Sequence, residues 1–511
     1  MIAPAIMVQG TASSVGKSLL VTALCRLFRQ EGLRVVPFKS QNMALNSFVT
    51  PDGGEIGRAQ AVQAEAAGVP PSVDMNPILL KPEGDARSQV VVLGKAVGTL
   101  SAAQYQEYKT ELRTVIAGCL DRLRASADLV VIEGAGSPVE VNLKRHEIVN
   151  MHVAKAADAR VLLAGDIDRG GVFAAFVGTM ELLEPDERAR VAGFVINKFR
   201  GDVSLLRSGL DFLTTRTGVP VVGVVPYLQH LRLPDEDSLS LESRRGRRRA
   251  GPEDLDIAVV RLPRIANYDD LGPLEHEAHV VVRFVEQPDE LSGADLVILP
   301  GSKSTVSDLA WLRRAGFAEA LRDRIGRREP LLGICGGCQM MGQIIEDPEG
   351  IESTSPVTEG LGILPIRTRY QRPKITAQVR ARPLATTFLT RSVSASAELS
   401  SYEIHMGRIA AVDPRTSSVF QIVERNRAAC EPGVEDGFAA HGGLALGTLL
   451  HGLFENEGVR QSLLDFLRDR RGLPPLPLAP LPPRDAEYDR LADSLRQHLD
   501  MGALRRLAGI G

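Results

Sequence analysis

Two short stretches of this chain hold residues in an order that chemistry needs. The first is GTASSVGKS, residues 10–18. A Gly-Lys-Ser triplet where a strand meets a helix turns backbone N–H groups and the positive helix end toward a phosphate. Lys17 then meets the β- and γ-phosphates of a nucleotide, and the Ser18 hydroxyl reaches Mg2+. Five residues separate Gly10 from Gly16, one more than the usual phosphate loop carries. Gly10, Thr11, Gly16, Lys17 and Ser18 are the loop's candidate binding residues. The plain alternative is a glycine turn that only joins a strand to a helix, and the intact Gly-Lys-Ser argues against it.

The second stretch is LLGICGGCQMMGQII. An apolar run enters Cys335, two glycines follow, and helical sequence begins, which is the layout of a strand–nucleophile–helix elbow. A cysteine at a helix N-terminus is drawn toward thiolate, and the Gly336 N–H is left to receive an oxyanion. Cys338 makes a C-x-x-C, but Cys25, Cys119 and Cys430 stand alone. A zinc site lacks its second pair and a redox site lacks its thioredoxin surroundings. Cys338 therefore reads as a small inward-facing residue and Cys335 as the nucleophile. His451, in LGTLLHGLFEN, is the expected base, with His405, in SYEIHMG, as competitor. Without Cys335 either histidine would read as an ordinary packed residue. Gly301 and Ser302, in LVILPGSKST, offer further N–H groups to the oxyanion, and Lys303 and Ser304 can touch a substrate.

Other candidates cluster around the first stretch. Glu133 ends the run DLVVIEG, where a metal-binding acid belongs; Asp52 and Glu55, in TPDGGEIG, are further acids for Mg2+, or else polar loop residues. Lys39 ends LRVVPFKS and can add charge near a γ-phosphate, and Asn197 ends GFVIN, a place from which an adenine edge can be read. The segment around Gln41, Asn42, Asn46, Gln60 and Gln63 is dense in amides, which suit a substrate rich in carboxylates and amides. Asp166, Asp168 and Arg169, in DIDRGGVFAAF, lie at another strand end facing the same crevice.

These residues need a frame that brings strand ends together. AIMVQG, LRVVPFKS, DLVVIEG, ARVLLAGD, VAGFVINK and VPVVGVVP are short, β-branched and apolar, with helical sequence between several of them. Such runs predict an α/β fold with a parallel sheet covered on both faces. A second series follows from LDIAVVRL through HVVVRFV, DLVILPGS and PLLGICGG. The expected organisation is a phosphate-loop domain over 1–238, a polar Arg-rich linker over 239–254, a thiol-site domain over 255–460, and a Pro-rich linker with a helical tail over 461–511. The linker arginines read as a solvated run. A net charge of −3 gives no reason to expect a nucleic-acid partner. No run approaches a membrane span, and sparse cysteines point to a reducing, cytoplasmic compartment. Oligomeric state is left open.

With both sites set out, GICGGCQ followed by a distant histidine resembles the class I glutamine amidotransferases. GTASSVGKS with VVIEGAG resembles the dethiobiotin-synthetase-like ATPases, whose loop has the same longer spacing. Their fusion, together with SQNMALNS, MNPILLKP, DIDRGGVFAAF, NKFRGD, PGSKST and YEIHMGR, resembles the cobyric acid synthase family over nearly the whole chain. Asn76 and Lys81 fall within one of these motifs. The resemblance implies ATP- and Mg2+-dependent amidation of the b, d, e and g carboxylates of adenosylcobyrinic acid a,c-diamide, a corrinoid, with ammonia from glutamine. It implies a Cys335–His451 dyad, because the acid Glu455 stands four residues after His451 rather than two. Cobyrinic acid a,c-diamide synthase is the near alternative, disfavoured by SQNMALNS and MNPILLKP; a partitioning-type switch ATPase is the distant one, and it would leave Cys335 idle.

Overall fold

The computed structural model describes residues 2–510 except 84–85, 229–230, 232, 234–249, 414, 432, 479 and 482. The six apolar runs of the first half form one parallel sheet, ordered Val221–Pro226, Val191–Phe199, Arg160–Asp166, β1 (Ala5–Gly10), Leu129–Glu133, β2 (Val35–Phe38). β1 is buried along its whole length, as a strand covered on both faces must be. Its neighbours on either side end in Glu133 and Asp166, so the carboxyl ends of three adjacent strands open onto the crevice where α/β sheets bind ligands. α1 (Lys17–Gln30) follows the glycine loop and packs Leu20, Leu24, Leu27 and Phe28 inward.

Between β2 and Leu129–Glu133 the chain adds a four-stranded sheet from Gln41–Met43, Ile78–Pro82, Arg87–Val92 and Lys95–Ser101. Ser47–Val49 and Glu55–Gly57 form a separate hairpin, from which α2 (Arg58–Ala67) departs directly. These short strands lack the regular apolar alternation that would have marked them in the sequence.

The second half builds a larger sheet. Val280–Val285, Leu255–Val260, Leu296–Leu299, Leu331–Ile334 and Ala445–Thr448 are parallel neighbours. An antiparallel half continues through Glu435–Ala440 and Ser418–Arg425 to the long pair Ile366–Pro383 and Leu399–Ala411.

Two expected boundaries move. Residues 239–249 of the expected linker lie outside the described residues, and Asp254 is already buried beside the strand Leu255–Val260. The boundary at 460 would cut the helix Glu457–Arg470, whose Val459, Leu463, Leu464 and Leu467 belong to the second domain's core. Beyond it, the helices Arg484–His498 and Met501–Leu507 return to the first domain. Tyr488, Leu491, Leu495 and Leu499 share a core with Leu20 and Leu24 of α1. Each such buried side chain contributes roughly 1.5–3 kcal/mol. Arg26 adds ion pairs to Asp485 and Asp489.

Candidate functional site

The glycine loop closes tightly around its own lysine. A Cβ on Gly10 would lie 2.7 Å from the Val15 side chain and 3.0 Å from Lys17 Nζ. Gly16 has φ of 97°, and a Cβ there would sit 2.3 Å from the Asn197 amide, so only glycine fits. Lys17 Nζ donates to the carbonyls of Ala12 (3.0 Å) and Gly136 (3.1 Å), tying the loop to the GAG turn after Glu133. Glu133 is the hub. One oxygen accepts from Ser18 Oγ at 2.8 Å and from Lys39 Nζ at 2.7 Å; the other accepts from Gln63 Nε2. A hydroxyl and a carboxylate side by side are oxygen donors of the kind Mg2+ takes. Among the described residues no group of three or more His, Cys, Asp or Glu forms a metal site.

Several candidates are tied to the loop itself. Asn197 Nδ2 donates to the Val15 carbonyl at 2.8 Å, so this amide braces the phosphate loop and leaves its oxygen as an acceptor. The Thr11 N–H is spent on the Ala164 carbonyl, extending the β1 pairing. Asp166 holds Lys198 at 2.9 Å, Lys198 also donates to the Ser14 carbonyl, and Arg169 lies 3.7 Å from Asp166. Asp168 pairs with Arg200 at 3.0 Å. These charges line the loop's flank. Gln41 accepts from the Tyr105 hydroxyl and buried Asn42 donates to Gln60, so both amides pin the insertion; Asn46 is fully buried. Asn76 is a buried clamp, donating to the carbonyls of Lys39 and Ile78 and accepting from the Gly57 N–H.

Asp52 and Glu55 do not join the Ser18–Glu133 pair. Asp52 caps the hairpin turn by accepting from Thr50, and the neighbouring Gly53 abuts Asn426 of the second domain. Glu55 is buried between Ser47, Lys81 and Lys374. Burial alone would raise its carboxyl pKa, but the two lysines outweigh that and hold it well below the usual range. Burial in turn lowers the Lys374 ammonium to about 8. The reason is topological: the hairpin carries both acids away from the sheet and onto the other domain.

At the second site Cys335 stands between Leu331–Ile334 and the helix Gly336–Met341 with φ 49° and ψ −110°, a strained conformation for a residue with a side chain. Cys338 is fully buried, and burial pushes its thiol well above the ordinary value, as its inward reading requires. A Cβ on Gly336 would meet the Ser302 N–H at 2.8 Å, and one on Gly301 would meet the Ala266 carbonyl and the His451 ring. The two glycine turns thus converge on one point beside Cys335. Ser302 Oγ donates to Asp308 at 2.7 Å, which fixes that turn.

His451 is the histidine at the thiol. Its Nδ1 lies 2.6 Å from Asp270 Oδ2, and its buried Nε2 has no hydrogen-bond partner at ordinary distance among the described residues. Burial by itself lowers its pKa, but the Asp270 carboxylate and Cys335 outweigh this and raise it to about 10. His405 has both ring nitrogens engaged, one by the Gly407 carbonyl and one by Glu403. Glu455 is paired with Arg484 instead. Behind the expected Cys335–His451 pair, Asp270 thus stands where the acid of a triad would stand. Asp270 escaped the sequence because it lies 181 positions from His451 on a short turn with no motif of its own. The surrounding pocket is lined by Lys303, Glu352, Tyr370 and Lys374, and by Lys81 and Gln89 of the first domain. Burial pushes the Glu352 carboxyl up to about 7, with Lys303 acting against it.

Comparison with known proteins matches both halves. The chain fits the CobQ/CobB/MinD/ParA nucleotide binding domain over residues 6–241 and the CobB/CobQ-like glutamine amidotransferase domain over residues 256–459. It is similar to the cobyric acid synthase of Sorangium cellulosum (strain So ce56), at 62% identity over 100% of this chain and 99% of that one. The cobyric acid synthases of Dehalococcoides mccartyi (strain CBDB1) and Syntrophobacter fumaroxidans (strain DSM 10017 / MPOB) are 50% and 48% identical. They cover 97% and 99% of this chain, and 97% and 98% of their own lengths align. No helix among the described residues is long and apolar enough to cross a membrane.

Proposed function

The chain belongs to the cobyric acid synthase family, and from that premise we propose how its two sites divide the work of a glutamine- and ATP-dependent amidoligase. Cys335 Sγ attacks the side-chain amide carbon of glutamine. The N–H groups of Gly336 and Ser302 receive the oxyanion. His451 takes the Cys335 thiol proton and passes it to the departing ammonia, Asp270 stabilises the imidazolium between those transfers, and the ring then takes a proton from the water that attacks the thioester and returns it to Sγ as glutamate leaves. Glu352 offers a negative group to the α-ammonium of glutamine, and Lys303 and Lys374 offer positive ones to its α-carboxylate.

In the first domain a side-chain carboxylate of the corrinoid attacks the γ-phosphorus of ATP. ADP leaves, and ammonia displaces phosphate from the acyl phosphate to give the amide. A carboxylate is a poor electrophile, and phosphorylation supplies its leaving group. Lys17 and Lys39 bear on the phosphates, and Ser18 and Glu133 would hold Mg2+. When bound, that ion neutralises charge on the phosphate oxygens. The acceptor carboxylates are b, d, e and g of adenosylcobyrinic acid a,c-diamide.

The observation that carries this reading is the presence in one chain of a cysteine elbow beside the His451–Asp270 pair and of a glycine loop whose Ser18 meets Glu133 together with Lys39. The test is to supply glutamine, ATP and Mg2+ with either cobyrinic acid or its a,c-diamide, and to follow glutamate and corrinoid mass. Amidation of the a,c-diamide is expected. Activity confined to undiamidated cobyrinic acid contradicts the substrate, and no glutamate release contradicts the amidotransferase.

A further inference from the structure

The triad acid is carried by a turn that the other domain grips. Asp270 lies in the short 3-10 turn Tyr268–Leu271, entered through Asn267 in a left-handed conformation at φ 53°. The Asn267 side-chain oxygen accepts from the Ser47 N–H of the first domain's hairpin at 2.9 Å. Next to Asp270, Asp269 pairs with Arg58 Nη2 at 2.6 Å, with 13% of the Asp269 side chain and 8% of the Arg58 side chain exposed. Arg58 is the first residue of α2, again in the first domain. The same Nη2 donates to the Tyr402 hydroxyl at 3.1 Å, and the guanidinium lies 5.2 Å from the Phe48 ring centre. Tyr402 in turn stacks on His451, with ring centres 5.0 Å apart and planes 12° apart, and its hydroxyl reaches toward Asp270 Oδ1 at 3.5 Å. Tyr402 and His451 also exchange backbone hydrogen bonds in both directions.

Arg58 thus touches both neighbours of the His451–Asp270 pair without touching the pocket that holds Cys335. Five residues on, Gln63 of the same helix donates to Glu133 at the phosphate site. One helix therefore ends against the glutaminase triad and runs along the nucleotide crevice.

We propose that Arg58 is a positioning residue of the glutaminase, supplied by the nucleotide-binding domain, that fixes Asp270 and Tyr402 on either side of His451. Without its cation, Asp269 becomes a buried unpaired carboxylate beside Asp270. Two adjacent carboxylates in one dry site repel, and one of them is driven to take a proton or to move. Either response loosens the Asp270 grip on the imidazole. An ordinary interdomain ion pair would instead hold the domains together and affect both reactions alike.

The proposal rests on the glutaminase reading above, so the full-length wild type is assayed in parallel for glutamate release and for ATP-driven amidation with ammonium chloride. Arg58→Met is expected to lower kcat for glutamate release on the order of 10–100-fold, as loss of an orienting outer partner does. KM for glutamine should stay within about threefold, and ammonia-dependent amidation should stay near wild type. Arg58→Lys, which keeps the charge, should recover much of the loss. Arg58→Met combined with Asp269→Asn should also recover, because the unpaired charge is gone while Ser47 still holds Asn267. A single-variant kcat within twofold of wild type overturns the proposal. So does an equal fall in the ammonia reaction, and so does a loss that neither second variant relieves. If the wild type itself releases no glutamate, the assigned function fails instead.

Discussion

The two sites are assembled by different rules. The phosphate site is drawn from one sheet: Gly10, Lys39, Glu133, Asp166 and Asn197 stand at or just beyond the ends of neighbouring parallel strands. The glutaminase site is composite. Cys335 comes from a strand–helix elbow, His451 follows a distant strand, Asp270 sits on a turn outside the sheet, and Lys81 and Gln89 reach in from the other domain. A parallel sheet gathers its strand ends automatically, so the first site needs only the right residue at each end. The second needs long-range contacts that no local spacing encodes.

That contrast can be pressed at several points. The largest effect is expected at the phosphate loop. Lys17→Ala should lower amidation on the order of 10³-fold, whether glutamine or free ammonia supplies nitrogen, while leaving basal glutamate release in place. Comparing the two nitrogen sources checks it. Next, Asp270→Asn should lower glutamate release by about 10²–10³-fold, since it removes the charge that orients and stabilises the imidazolium. Steady-state kinetics with glutamine, against unchanged ammonia-dependent synthesis, checks this.

A subtler effect concerns pH. Burial would lower the His451 pKa, and the Asp270 carboxylate and Cys335 reverse that and raise it to about 10. A nearby negative charge favours the protonated ring, so His451 keeps the proton that ammonia needs until the pH rises through about 10. Asp270→Asn removes that charge, and the alkaline limb of kcat/KM for glutamine should move to lower pH. The smallest effect is expected at Glu455. Its partner Arg484 is on the helical tail, and both side chains are more than one-third exposed. Glu455→Gln should leave glutamate release within twofold and change stability by about 0–1 kcal/mol. A large loss would return the triad acid to Glu455.

How much was legible in the sequence follows the same division. All six strands of the first sheet and the four leading strands of the second were readable, because parallel strands packed between helices are near-continuous apolar runs. Lys17, Ser18, Glu133 and Cys335 were readable because a glycine turn between strand and helix has local chemistry. The insertion of residues 41–101 was not: its strands are short, without a regular alternation, and its amides find partners far along the chain, as Gln41 with Tyr105 and Gln63 with Glu133 show. For the same reason Asp52 and Glu55 were misplaced, since nothing in TPDGGEIG reveals that its hairpin faces the second domain. Asp270 and Arg58 were invisible because what singles them out is contacts across 181 and 211 positions, to His451 and Asp269.

The central claim is that ammonia made at Cys335 is consumed at a separate ATP site in the other domain. The direct measurement uses Cys335→Ala with ATP, Mg2+ and the corrinoid a,c-diamide, supplied first with glutamine and then with ammonium chloride, reading corrinoid mass and ADP. With glutamine, neither glutamate nor amide should form. With ammonia, amidation should return toward the wild-type ammonia rate. Amidation from glutamine in this variant, or none from ammonia in a folded protein, would contradict the account.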